Sequence, residues 1–229
     1  MKRFYKEAAA VPVDGAVAVL LDGRPVKTPA RNALALPTEE LAEAIAGEWN
    51  VQGETIDPRS MPLTGLANAA IDRVAPDPAA FARGLAAYGE SDLLCYRSEG
   101  PRALVARQDA LWEPLLAWAR GRFGIGFETV CGVMHRAQPP ETVARLAAAV
   151  AERDPFRLAA LSPLVTISGS LVVALALAEG EIGIEPAWVA ATLDEAWQAE
   201  QWGEDALAAQ ALANRRLEFE AAYLFLTLL

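Results

Sequence analysis

The side chains best suited to chemistry cluster in one short stretch, Leu193-Asp-Glu-Ala-Trp-Gln-Ala-Glu-Gln-Trp-Gly-Glu-Asp205, which holds five carboxylates and two tryptophans. On a helix, Trp197, Glu200, Gln201 and Glu204 fall on one face at i, i+3, i+4 and i+7, and Glu195, Gln198, Trp202 and Asp205 on an adjacent one. Like charges at i and i+4, as at Glu200 and Glu204, cost a few tenths of a kcal/mol, about what an opposite pair contributes. No lysine or arginine lies between Glu179 and Asn214 to offset them. A sequence shaped by stability alone would not choose this arrangement, though arginines elsewhere in the fold could compensate. Three functions suit these residue types. Tryptophans with carboxylates suit a protein-docking face, because tryptophans anchor interfaces and charge selects basic partners. Paired carboxylates beside tryptophans also suit a sugar-cleaving cleft. The third reading is structural, with tryptophans in the core and acids in water. The residues alone leave all three open.

Other chemistry is hard to assemble from this chain. His135 is its one histidine, and no recognisable nucleophile or orienting partner lies near it in sequence. The glycines at 121, 124, 126 and 132 lack the dinucleotide spacing, and no Gly-Lys-Ser/Thr follows them. Ser168-Gly169-Ser170 is not a nucleophile elbow. Cys95 and Cys131 sit in apolar runs and read as buried, reduced thiols. One histidine and two cysteines supply too few soft ligands for a metal. The expectation is a chain with no catalytic group, no metal, no cofactor and no small-molecule substrate.

Charge narrows the partners. The formal charge is −10, with 30 acidic residues against 20 basic ones, so a phosphate backbone is a poor target and nucleic acid is excluded. From Glu179 onward ten carboxylates meet only Arg215 and Arg216, a net of −8, so the first 178 residues are nearly neutral. An acidic end attracts a basic patch on a partner, or serves as a solvated surface. At 229 residues, 53% of them hydrophobic, the chain can bury roughly 70% of its unfolded surface without staples. The opening Met1-Lys-Arg-Phe-Tyr-Lys-Glu7 is basic, but no apolar signal core follows it, so the chain reads as cytoplasmic.

The elements that position the acidic stretch follow from periodicity. Apolar runs flank Asp22-Gly23, a strong hairpin signal, and Asp14-Gly15 marks a turn before it. The first 37 residues therefore predict a small antiparallel sheet. From Thr38, a plausible N-cap, Leu41, Ile45 and Trp49 recur at helical spacing and predict a helix packed on that sheet. After the break at Gly53–Pro62, apolar stripes at 63–74 and 111–123, and helix starts near Pro140, Pro186 and Asp205, predict helices to the end. Ser91–Arg97 stays open between a short strand and a helix end. Leu158–Ala178 carries no charge over a bilayer-spanning length. Its Ser and Gly residues and the lack of interfacial tryptophan favour a buried helix, broken near Pro163, with no membrane insertion. The expected fold is α+β: an N-terminal α+β domain at 1–75 and an all-α domain at 76–229.

At this point the sequence resembles a known family. The carriers are Arg24-Pro-Val-Lys-Thr-Pro29, Glu48-Trp-Asn50, Ser60-Met-Pro-Leu-Thr64, Leu66-Ala-Asn-Ala-Ala-Ile-Asp72, Asp92-Leu-Leu-Cys-Tyr-Arg97, Arg107-Gln108 and the acidic stretch itself. In order, and over nearly the whole chain, they resemble the assembly chaperones of the F-type ATP synthase that act on its alpha subunit. Departures are small: Ala69 and Ala70 stand where Thr-Ala is expected, Glu113 replaces an aspartate, and Leu207 stands where an acid is common. The resemblance implies a partner, the unassembled alpha subunit. With the acids lacking local cations, it implies a docking face of Trp197, Glu200, Trp202, Gly203, Glu204 and Asp205. It assigns the Arg24–Pro29 turn and Asp72 to architecture. A carbohydrate hydrolase built on residues 194–205 is the alternative.

Overall fold

The computed structural model describes residues 1–229. Strands β1 (Ala8–Val13) and β2 (Ala16–Leu21) pair antiparallel, with Val13 opposite Ala16 across the Asp14-Gly15 turn. Leu21 pairs with Arg24 of β3 (Arg24–Pro25) across Asp22-Gly23. In both turns the aspartate and the glycine have positive φ, the requirement of the tight hairpin turn that matches strand twist. Strand β4 (Ala35–Leu36) joins β2 further along, through Val17 and Ala18. The predicted small antiparallel sheet is present.

Helix α1 (Glu39–Asn50) starts at Thr38, whose hydroxyl accepts the Leu41 N–H. Its Leu41, Ala42 and Ile45 are fully buried with Val19 and Leu36 of the sheet. The last turn fastens its neighbours. Asn50 exchanges two hydrogen bonds with the Ala8 backbone, at 2.7 and 2.8 Å, and the Trp49 carbonyl accepts from the Tyr5 hydroxyl at 2.6 Å. Glu48 accepts from the Leu63 and Thr64 N–H groups and the Thr64 hydroxyl, all within 2.8 Å. It thereby caps α2 (Pro62–Ala69), which has no side-chain cap of its own. Burial pushes the Glu48 carboxyl above its ordinary pKa, against the pull of those three bonds. A π turn at Ala70–Val74 then carries Asp72, which accepts from the Thr28 hydroxyl, the Ala30 N–H and the Asn32 amide. Asp72 thus ties down the turn after β3. Its pKa lies below the ordinary value: desolvation pushes it up, and these three bonds outweigh that. Residues Asp154–Ala160 and Ala221–Leu229 belong to the same compact unit, and Phe156 stacks on Phe225 within it.

A second unit comprises Ala79–Arg153 and Leu161–Glu220. Its helices are α3 (Pro78–Ala86), α4 (Arg102–Phe123), α5 (Pro140–Ala151), α6 (Pro155–Ser168), α7 (Leu171–Ala178), α8 (Ile184–Ala191), α9 (Leu193–Trp202) and α10 (Ala206–Thr227), some extending beyond it. Ser91–Arg97 resolves into a 3-10 turn at Leu93–Cys95 and a strand, β5 (Tyr96–Arg97), parallel to β6 (Val130–Cys131). Two expectations need correction. Leu158–Ala178 breaks at Ser168-Gly169-Ser170, not at Pro163, which lies inside α6. Gly169 takes φ +67, and the Ser170 hydroxyl caps α7 by accepting the Val173 N–H. No helix is long and apolar enough to cross a membrane. Of the cysteines, Cys95 is buried but Cys131 is exposed, because its apolar run forms a surface strand.

Asp92 holds this break together from below. It is wholly buried, and it accepts from the Leu94 N–H with one oxygen and the Val172 N–H of α7 with the other. Desolvation pushes its pKa up to about 6, although the N–H groups of Val172, Leu94 and Leu171 and the Ser170 side chain favour the anion.

Candidate functional site

Helix α9 is positioned by α4. Gln108 is buried; its amide donates to Asp194 at 2.8 Å and its carbonyl oxygen accepts the Ser98 N–H at 2.8 Å. Trp112, also buried, donates its indole N–H to the Ala190 carbonyl at the end of α8. One turn earlier, Arg107 forks onto both oxygens of Glu200, at 2.7 and 2.9 Å, while its guanidinium lies 4.8 Å from the Trp197 ring centre. The missing local cations are therefore supplied by distant arginines. Arg107 neutralises Glu200, Arg215 of α10 reaches Glu195 at 3.3 Å, and Arg216 pairs with Glu185 and Glu220.

The six residues singled out in the sequence are not equivalent. Trp197 is buried, 8% exposed, and faces the interior of its unit. Glu200 is exposed but occupied by Arg107. Trp202 closes α9 and is 79% exposed. Gly203 follows with φ +88 and ψ 165, a conformation essentially restricted to glycine, and so turns the chain out of the helix. Glu204 and Asp205 consequently leave the helical faces expected of them. Asp205 caps α10, its Oδ1 accepting the Leu207 and Ala208 N–H groups at 3.1 and 2.9 Å. Glu204 is exposed and makes no ion pair.

Between α9 and α10 this turn opens a groove of about 300 Å³. Its walls include Ala199, Trp202, Ala208, Ala209 and Leu212, with Glu204 and Asp205 at the turn and the Glu195–Arg215 pair at the far end. The sequence reading missed α10's share. Nine residues, Ala206–Asn214, carry no charge and bury no side chain, and Leu207 is 83% exposed. The signal was present as an uncharged Ala/Leu run just after the acids, with Leu207 where an acid is common. Beyond this run α10 is anchored by Phe219, which is buried and packs on Trp188 of α8; within it only Ala209 and Leu212 are half-buried.

No group of three or more His, Cys, Asp and Glu side chains is placed to hold a metal ion. His135 hydrogen-bonds the Tyr96 hydroxyl. An open cleft with an apolar floor, an exposed tryptophan and a free carboxylate at its mouth has the chemistry of a surface that docks another macromolecule.

Comparison places this chain among chaperones. The family model described as ATP12 chaperone protein matches residues 2–120, and the chain belongs to that family. The mitochondrial protein atp12 of Schizosaccharomyces pombe is 26% identical over 219 residues, 90% of this chain and 75% of the yeast protein. The crystal structure of Atp12 from Paracoccus denitrificans superposes with a TM-score of 0.94 at 43% identity, covering 99% of this chain and 97% of the other. A lysine-for-aspartate mutant of the same protein gives 0.94 at 42%, with the same coverage. An Agrobacterium tumefaciens protein gives 0.95 at 44%, over 99% of this chain and 85% of its own.

Proposed function

We propose that this chain is an assembly chaperone of the F-type proton-translocating ATP synthase. It binds the unassembled alpha subunit, shields its subunit-interface surface from aggregation and releases it to the beta subunit. The observation that carries the reading is the solvent-facing α9–α10 groove in a member of the ATP12 chaperone family. A free subunit exposes the apolar area its neighbour later covers, and such patches aggregate. A chaperone that covers part of it needs no nucleotide to let go, since the larger contact with the beta subunit displaces it. Release limits the hold to about micromolar, near −8 kcal/mol, over an interface of about 800 Å² per partner.

Within this reading the six residues divide the work. Trp202 and Glu204 meet the partner directly. Gly203 and Asp205 shape the turn that presents them, and Trp197 with Glu200 lock α9 to α4 through Arg107. The test is Glu204→Lys. Its side chain is exposed and makes no ion pair, so the variant folds normally, and in a pull-down from co-expressing cells it loses the alpha subunit. Unchanged recovery of the subunit by a folded variant removes the groove mouth from the interface.

A further inference from the structure

The groove walls restrict what can fill them. Both are helices whose backbone groups are paired within the helix, so no sheet edge is on offer. An extended segment laid on Ala199, Ala208, Ala209 and Leu212 would bring its own unpaired N–H and C=O groups onto an apolar floor, at a cost of a few kcal/mol for each one desolvated. A helix arrives with those groups already satisfied. The alanines strengthen the case, because small side chains let helix axes approach to about 8 Å. Ala206–Asn214 holds five alanines, two leucines and no charge; of these, Ala208, Ala209 and Leu212 line the groove, Ala208 exposed and the other two half-buried.

Charge fixes the rest. Arg215 is the one cation in the groove lining, and it is engaged with Glu195 at the far end. The mouth holds Glu204, which has no ion pair, and Asp205, spent on its cap. A second copy of the chain presenting the same stretch would bring the same acids, and its one cation there, Arg215, would already be paired with Glu195. We infer that the occupant is a helix of the partner, apolar and small-residued on one side, with lysine or arginine flanking that side where it passes Glu204. This rests on the docking reading above and adds the chemistry of the docked segment.

Three fluorescein-labelled peptides test it by anisotropy against the intact chain. The first is an amphipathic helix of about eighteen residues with an Ala/Leu face and a lysine face. The second has glutamate for every lysine, and the third is the lysine peptide with two central prolines. The lysine helix binds at tens of micromolar, and the other two bind about tenfold or more weakly. Leu212→Asp and Ala208→Glu each weaken the lysine helix by about tenfold as well. Ala208 lies in the first turn of α10, where a carboxylate favours the helix, so that variant folds. Both variants add negative charge, so general attraction to an acidic protein would tighten binding instead. Equal binding of the glutamate or proline peptide, or undiminished binding by both variants, overturns the inference. So does self-association of the wild type that both variants abolish, since it gives the groove to a second copy. Co-purification of the alpha subunit runs in parallel. If the subunit binds and the variants release it while the peptides show no preference, only this inference falls. If the lysine helix binds and the subunit does not, the alpha subunit is not the partner, and what stands is the groove's preference for a basic, small-residued helix.

Discussion

Asp92 offers the most quantitative test of the fold that carries the groove. Its carboxyl is wholly buried and its pKa stands at about 6, against an ordinary 3.8, because burial penalises the anion more than its hydrogen bonds reward it. The folded state therefore holds the proton more tightly than the unfolded chain does. Between those two pKa values the folded state binds more protons, so stability falls as pH rises, and the loss is complete above pH 6. At about 1.4 kcal/mol per pH unit, the whole window is worth about 3 kcal/mol. Asp92→Asn removes the titration but keeps the shape. Urea unfolding followed by tryptophan fluorescence gives the stability of both proteins between about pH 4 and 7. The stability difference, wild type minus variant, falls by about 2 to 3 kcal/mol over that range, whatever its absolute value. Taking the difference cancels Glu48, which has the same sign, and Asp72 and Asp154, which have the opposite one. A difference that stays flat, or rises with pH, refutes the claim that burial dominates at Asp92.

Three further outcomes follow from local geometry. Gly203→Ala meets no neighbouring atom but must hold a backbone conformation that costs about 1 to 3 kcal/mol, so amide exchange at Leu207 and Ala208 quickens about tenfold or more. Glu48→Ala strips the cap from α2 and leaves the Leu63 and Thr64 N–H groups short of a partner, lowering stability in urea by about 2 kcal/mol. An aromatic disulfide reagent at pH 8 labels Cys131 at once. Cys95 reacts slower by on the order of a thousandfold, since burial and the nearby Asp92 push its thiol pKa up to about 12.

The sheet and its helix were legible because short-range rules decide them: two Asp-Gly turns, a threonine cap and the period of Leu41, Ile45 and Trp49. The family-like motifs of the first unit turn out to have local work. Glu48 caps a helix, Asn50 binds a strand backbone, and Asp72 closes a turn. Pro163 misled, because a proline marks strain but a glycine at positive φ with a capping serine ends a helix. At the groove the sequence showed where acids and tryptophans gather but not their partners. Arg107 lies 93 residues from Glu200 and Arg215 lies 20 from Glu195, separations that periodicity does not reach. Composition drew attention to charge, so the uncharged face of α10 beside it went unread.

Calorimetric titration of purified alpha subunit with this chain addresses the central claim without intermediaries. The account predicts one-to-one binding at about micromolar strength, weakened about tenfold or more by Leu212→Asp in the groove and retained by Asp92→Asn away from it. Heats indistinguishable from dilution at tens of micromolar of both proteins contradict it.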